Sequence, residues 1–126
     1  MKETNGMSDY AKPWYHGSPL KIDILREGSS ITQNRALARI FSHKPTVVSV
    51  DEEEGIKHDG QKPGFLYRIG EKVSPADICP HPRSTMDPGT EWLTTRPLRL
   101  DLVCPTQVIE KEQLTERETA KLMRKR

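Results

Sequence analysis

His16 and Glu91 are the side chains whose type and setting make the strongest case for chemistry. His16 sits in Trp14-Tyr15-His16-Gly17-Ser18, where two large rings suited to a strand precede an imidazole, a glycine and a hydroxyl. An imidazole at the mouth of a strand can hydrogen-bond outward, because the chain stops there. Gly17 either ends the strand or lets another backbone or a ligand come close. The plain alternative is a strand end whose histidine bonds a nearby carbonyl. Ser18 has no second histidine or acid beside it in the sequence, so it reads as a turn residue rather than a nucleophile. Glu91, beside Trp92, is either a functional carboxylate at the start of a late strand or an exposed edge-strand acid.

Other polar clusters carry less. Cys79 and His81 lie one residue apart in Cys-Pro-His-Pro with no second ligand pair, so a Pro-rich loop is expected there and no metal site. The acidic run Asp51–Glu54 reads as solvated, since a cation site needs oxygen ligands at set positions. His43, His58 and His81 lie near prolines or in polar stretches and read as surface residues.

The elements that must position these residues are short. Trp14–His16 reads as the first strand, and Ile31–Gln33 as a brief strand entering a helix capped by Thr32 or Asn34. In residues 35–43, Ala36, Leu37, Ile40 and Phe41 share one helical face, and Pro45 stops the helix. Thr46–Val50 is β-branched and reads as a strand, followed by a long polar loop to Pro63. Phe65, Tyr67 and Ile69 alternate with Leu66 and Arg68 in a further strand. Residues 73–88 hold four prolines and read as irregular. Glu91–Thr95 and the Leu98, Leu100, Leu102 alternation read as strands, with Val108 and Ile109 extending that edge. From about Lys111 the composition turns helical. Phe41 and Tyr67 each share a face with apolar residues, so a core position is the plain reading of both. Strands predominate and crossover helices are few, so the expectation is an α+β domain with split, mostly antiparallel sheets and one or two short helices. The expected division is a loose segment 1–12, one domain over 13–110 and a basic C-terminal helix over 111–126.

With 126 residues, one domain is expected. Hydrophobic residues are 33% and charged residues 30%, which gives a thin core and a wet surface. A net charge of +2 offers no general electrostatic case for nucleic acid or a membrane surface, although Lys121, Arg124, Lys125 and Arg126 cluster at the end. Two cysteines are too few for a disulfide framework, and no apolar run approaches the roughly 18 residues of a membrane span. The cytoplasm, with both thiols reduced, is the simplest compartment.

Three stretches together resemble the ADP-ribosyltransferase superfamily, in the branch with a His–Tyr–Glu signature. Tyr15-His16-Gly17-Ser18 is similar to the family's first motif. Ile31 to Phe41 is similar to its strand-then-helix second motif, and Glu91 in Gly89-Thr90-Glu91-Trp92-Leu93-Thr94-Thr95 stands where the third-motif acid does. Arg96-Pro97-Leu98-Arg99-Leu100 resembles the strand that follows in small bacterial members. The resemblance covers about residues 14–103.

It implies NAD as substrate, cleaved at the nicotinamide–ribose bond through an oxocarbenium-like transition state. Glu91 would stabilise the developing positive charge and orient the ribose. His16 would donate to a hydroxyl of the adenosine ribose, and the Gly17 backbone would hold the nicotinamide amide. Ser18 and Thr32 would belong to the same binding surface, and an aromatic ring would stack on the nicotinamide. That ring is Phe41, where the family usually has Tyr; Tyr67 is the possible substitute. Thr32 stands where members often carry an aromatic. The acceptor of ADP-ribose stays open, and so does a second reading, a nucleotide- or partner-binding module on the same scaffold without catalysis.

Overall fold

In Gly64–Ile69 the alternation of side chains gives the chain its central strand, because both faces of that strand find a core. The computed structural model describes residues 10–51, 53, 55–84, 86 and 89–124. In chain order its strands are β1 (Tyr15–Ser18), β2 (Ile24–Leu25), β3 (Ser30–Ile31), β4 (Val48–Asp51), β5 (Gly55–His58), β6 (Gly64–Ile69), β7 (Ile78–Pro80), β8 (Trp92–Thr94) and β9 (Leu98–Thr106). Helix α1 (Arg35–Phe41) lies between β3 and β4, and α2 (Glu116–Arg124) follows β9. Single 3-10 turns occupy Pro75–Asp77 and Glu110–Glu112.

One sheet has the order β1-β6-β9-β2, a second β3-β8-β7, and β4 and β5 form a hairpin of their own. Neighbouring strands run antiparallel in every ladder. A bridge between Tyr15 and Thr32, with hydrogen bonds of 2.7 and 3.0 Å, joins β1 to the end of β3 and so links the two larger sheets. The class is α+β with antiparallel sheets and two helices, as the sequence leads one to expect.

Tyr67 and Ile69 of β6 face a core shared with Trp14, Leu25, Ile31, Val73, Ile78, Leu98 and Leu100. Leu66 points the other way and is buried on the side that α1 covers with Leu37, Ala38 and Ile40. Burying each of the larger aliphatic side chains contributes about 2 kcal/mol. Asn34, not Thr32, caps α1: its side-chain oxygen accepts from the Leu37 N–H at 3.1 Å.

Gly17 is what lets α1 lie so close. A Cβ on this residue would stand 1.8 Å from the Ala38 carbonyl oxygen and 2.6 Å from the Ser42 nitrogen. Of the two roles open to it in the sequence, close approach of another backbone is the one the fold uses. Gly64 on the adjacent strand does the same, with the Ser42 carbonyl oxygen 2.4 Å from where its Cβ would be.

Several local expectations are corrected. The stretch after Val50 is not one long loop, because residues 55–58 fold back as β5 on β4. Residues 73–88 include a capped turn and β7 rather than being irregular throughout; Asp77 accepts from the Ser74 N–H at 2.9 Å. β9 ends at Thr106, leaving Ile109 exposed, and the C-terminal helix starts at Glu116 rather than near Lys111. Tyr10 is not loose: its ring stacks on Trp14 at 6.2 Å and meets Trp92 edge-on at 6.3 Å. His43 and His58 are not surface residues; both are fully buried, because α1, β5 and the 110–114 segment close over them. Residues 1–9, Glu52, Glu54, Thr85, Asp87, Pro88, Lys125 and Arg126 lie outside the described residues, and with them parts of the expected acidic run, of the proline-rich 73–88 stretch and of the basic tail.

Candidate functional site

The end of β1 and the end of α1 meet at a cavity of about 550 Å³. His16, Gly17 and Ser18 line it from β1, Phe41 from α1, and Lys44 and Lys62 from the segments that follow α1 and precede β6. Four of the seven residues singled out from the sequence are therefore brought together. A crevice of about 10 Å³ next to it is lined by His16, Gly17, Thr32 and Phe41.

His16 has a defined hydrogen-bonding state. Its Nδ1 lies 2.7 Å from the Ser30 carbonyl oxygen, which can only accept, so Nδ1 carries the hydrogen. Burial holds its pKa below the ordinary histidine value, and the bond to Ser30 opposes this only in part. At neutral pH the ring is uncharged and Nε2 presents a lone pair. In this state Nε2 is able to accept a hydrogen bond, whereas the resemblance implies an imidazole that donates to a ribose hydroxyl.

Ser18 is buried, and its oxygen accepts from the Leu20 N–H at 3.0 Å, the turn role expected of it. Thr32 is buried and its oxygen accepts from the Asn34 N–H at 3.0 Å. Phe41 is half-buried on the cavity wall. Tyr67 does not reach the cavity, which corrects its place as a substitute stacking ring. It is 1% exposed; its hydroxyl donates to the Leu20 carbonyl and accepts from the Ile22 N–H, each at 2.8 Å. That pair of bonds spends the hydroxyl inside the core.

Glu91 stands immediately before β8, and its carboxylate accepts from the Ser84 hydroxyl at 2.5 Å. Neither of the two spaces at His16 has Glu91 in its lining. β3 lies between β1 and β8, so the two strands are separated by two strand spacings, roughly 10 Å. Thr90, next to Glu91, borders another cavity of about 350 Å³ together with Asn34 and Leu37 of α1. A further cavity of about 530 Å³, against Tyr10, Trp14, Val73 and Pro75, contains neither His16 nor Glu91.

Sequence reading missed Pro19, Leu20, Lys44, Lys62 and Pro63 of the cavity lining, and of these the two lysines carry charge. Among the described residues no acid lines the space with them, so it favours an anionic ligand. Lys44 also has a φ of +57°, a left-handed conformation rare for a residue with a side chain. It follows the end of α1, where its N–H bonds the Phe41 carbonyl at 3.0 Å. Nothing in the local sequence distinguishes these two lysines from the other basic residues.

Among the described residues no group of three or more His, Cys, Asp or Glu side chains is placed to hold a metal ion. Among the same residues no helix is long and apolar enough to cross a membrane. No protein-family model matches the chain, and neither a curated protein nor a solved structure does.

Proposed function

We propose that this chain binds a dinucleotide of the NAD type and cleaves its nicotinamide–ribose bond, passing ADP-ribose to an acceptor or to water. The observation that carries this reading is the cavity lined by His16, Gly17, Ser18 and Phe41 with Lys44 and Lys62 on its wall. It offers a neutral imidazole acceptor for a ribose hydroxyl, an aromatic wall for a planar ring, and two cations for a diphosphate. A ligand that also reaches Glu91 has to cross the width of β3, which suits a molecule with a nucleoside at each end of a diphosphate.

In the reaction the carbon–nitrogen bond breaks and nicotinamide leaves with the bonding electrons. The ribose carbon becomes oxocarbenium-like, and the Glu91 carboxylate stabilises that charge. The oxygen of water or of an acceptor hydroxyl then bonds the same carbon and loses its proton. For this Glu91 has to exchange its bond to Ser84 for one to the ribose.

The position of Glu91, outside the lining at His16 and bonded to Ser84, favours a second reading, a nucleotide-binding module without catalysis. Chromatographic measurement of nicotinamide release from NAD separates the two. Release by the natural chain, with loss of roughly a hundredfold or more in Glu91→Gln, supports the enzyme. Equal silence of both chains, while NAD still raises the melting temperature, supports the module. Titration calorimetry with no heat on adding NAD overturns the enzyme reading.

A further inference from the structure

Behind the cavity wall, α1 and the C-terminal segment close over a group of polar side chains that the proposed activity does not use. The rings of His43 and His58 stack with centroids 5.5 Å apart and planes inclined by 12°, and both residues are 0% exposed. Their hydrogen bonds set opposite tautomers. His43 Nδ1 lies 2.7 Å from the Lys62 carbonyl oxygen, so it carries the hydrogen and Nε2 presents a lone pair. His58 Nδ1 accepts from the Gly60 N–H at 3.0 Å, so its hydrogen is on Nε2. Burial and the neighbouring His43 hold the His58 pKa below the ordinary value, with Glu112 acting in the opposite sense.

Arg39 of α1 and Glu112 of the C-terminal segment join the pair, Arg39 Nη2 donating to Glu112 Oε2 at 2.6 Å. Each of the four side chains keeps one buried atom with no hydrogen-bond partner inside the protein: His43 Nε2, His58 Nε2, Arg39 Nη1 and Glu112 Oε1. His58 Nε2 and Glu112 Oε1 are 4.0 Å apart, too far for a direct hydrogen bond. Buried polar atoms are costly to leave unpaired, so such a group points to a small ligand.

The chemistry of the four atoms selects that ligand. His58 Nε2 and Arg39 Nη1 donate, while His43 Nε2 and Glu112 Oε1 accept. Two N–H groups repel a metal cation, and a carboxylate beside a lone pair repels an anion. Two donors with two acceptors complement a molecule with two lone pairs and two hydrogens.

We propose that Arg39, His43, His58 and Glu112 form an internal binding site for one water molecule, which completes the hydrogen bonding of the histidine pair and fastens the C-terminal segment to α1. The same segment is held by the Leu114 N–H on the His58 carbonyl and by Gln113 Nε2 on the Gly60 carbonyl, each at 2.9 Å. His43 also holds the backbone of Lys62, so the site braces the wall of the candidate cavity. It does not depend on what that cavity binds.

An atomic-resolution crystal structure of the full chain near neutral pH tests the assignment. The expected result is one density peak, refining as oxygen, within hydrogen-bonding distance of at least three of the four atoms. Ring ¹⁵N shifts in solution are expected to report His43 protonated on Nδ1 and His58 on Nε2. An empty site, a peak with the anomalous signal of a metal or chloride, or two rings in the same tautomer overturns it. In His43→Phe, which keeps a ring in the stack and removes one acceptor, the peak is expected to vanish or move away from the ring. An unmoved peak in that variant overturns the four-partner site, and the natural chain decides the question where the variant does not fold.

Discussion

Gly17→Ala is the substitution whose cost can be worked most directly from the structure. The new Cβ would sit 1.8 Å from the Ala38 carbonyl oxygen, and separations under 3.0 Å are essentially never seen. Helix and strand must therefore part by at least about 1.2 Å, the difference between those two distances. The contact is backbone against backbone, so no rotamer change relieves it. Withdrawal of α1 loosens Leu37, Ala38 and Ile40, and it pulls Ser42 from the Thr106 hydroxyl, now 2.6 Å away. Overpacking of this kind costs about 3 kcal/mol or more. For a chain of this length that corresponds to a fall in melting temperature of roughly 12 °C. Differential scanning calorimetry and urea unfolding measure it. A variant that melts within about 2 °C of the natural chain, well inside that 12 °C, would show that α1 does not rest on β1 as described.

Tyr67→Phe removes a buried hydroxyl and strands the Ile22 N–H, at a cost of about 1–2 kcal/mol; the urea midpoint should fall by roughly 1 M with nucleotide binding unchanged. A lost NAD response in a folded variant would return that ring to the binding site. Lys44→Gly relieves about 1 kcal/mol of left-handed strain, part of which is lost again to unfolded-chain entropy, so the melting temperature should move by only a few degrees. Under the proposed function the same change weakens binding of an anionic dinucleotide several-fold at low salt and less at high salt, and equal calorimetric affinities at low salt would refute that role. His16 and His58 both have folded pKa values below the ordinary 6.5, so the unfolded chain takes up more protons as the pH drops. Their contribution to stability is complete above about pH 6.5 and declines below it, with a slope of at most about 1.4 kcal/mol per pH unit for each ring. Asp59, whose carboxylate accepts from Thr46 and Val47, has a lowered pKa and so gives way only in the acid range, below about pH 4. A melting temperature that stays level between about pH 7 and pH 5.5 would contradict the neutral buried histidines.

Much of the fold was legible as local pattern. The spacing of Leu37, Ile40 and Phe41 marks α1, and the alternation through Tyr67 and Ile69 marks β6, because each period reflects one face turned to a core. The hairpin over residues 55–58 was hidden because its polar and glycine residues look like a loop, and only pairing with β4 makes them a strand. Of the candidate site, His16, Gly17, Ser18 and Phe41 were legible as residues at the ends of short elements.

What the chain by itself determined, then, is the segments whose own side-chain period makes them extend or coil, such as β6 and α1, since that period depends on neighbours a few positions away. Tertiary structure alone decided that Gly17 seats a helix, that Tyr67 spends its hydroxyl in the core, and that Lys44 and Lys62 share a cavity with His16. It also turned His43 and His58, which read as surface residues, into a stacked and sealed pair. The physical reason is that burial and charge are set by groups distant in sequence, as Arg39 and Glu112 are, and no local period records which of them will meet.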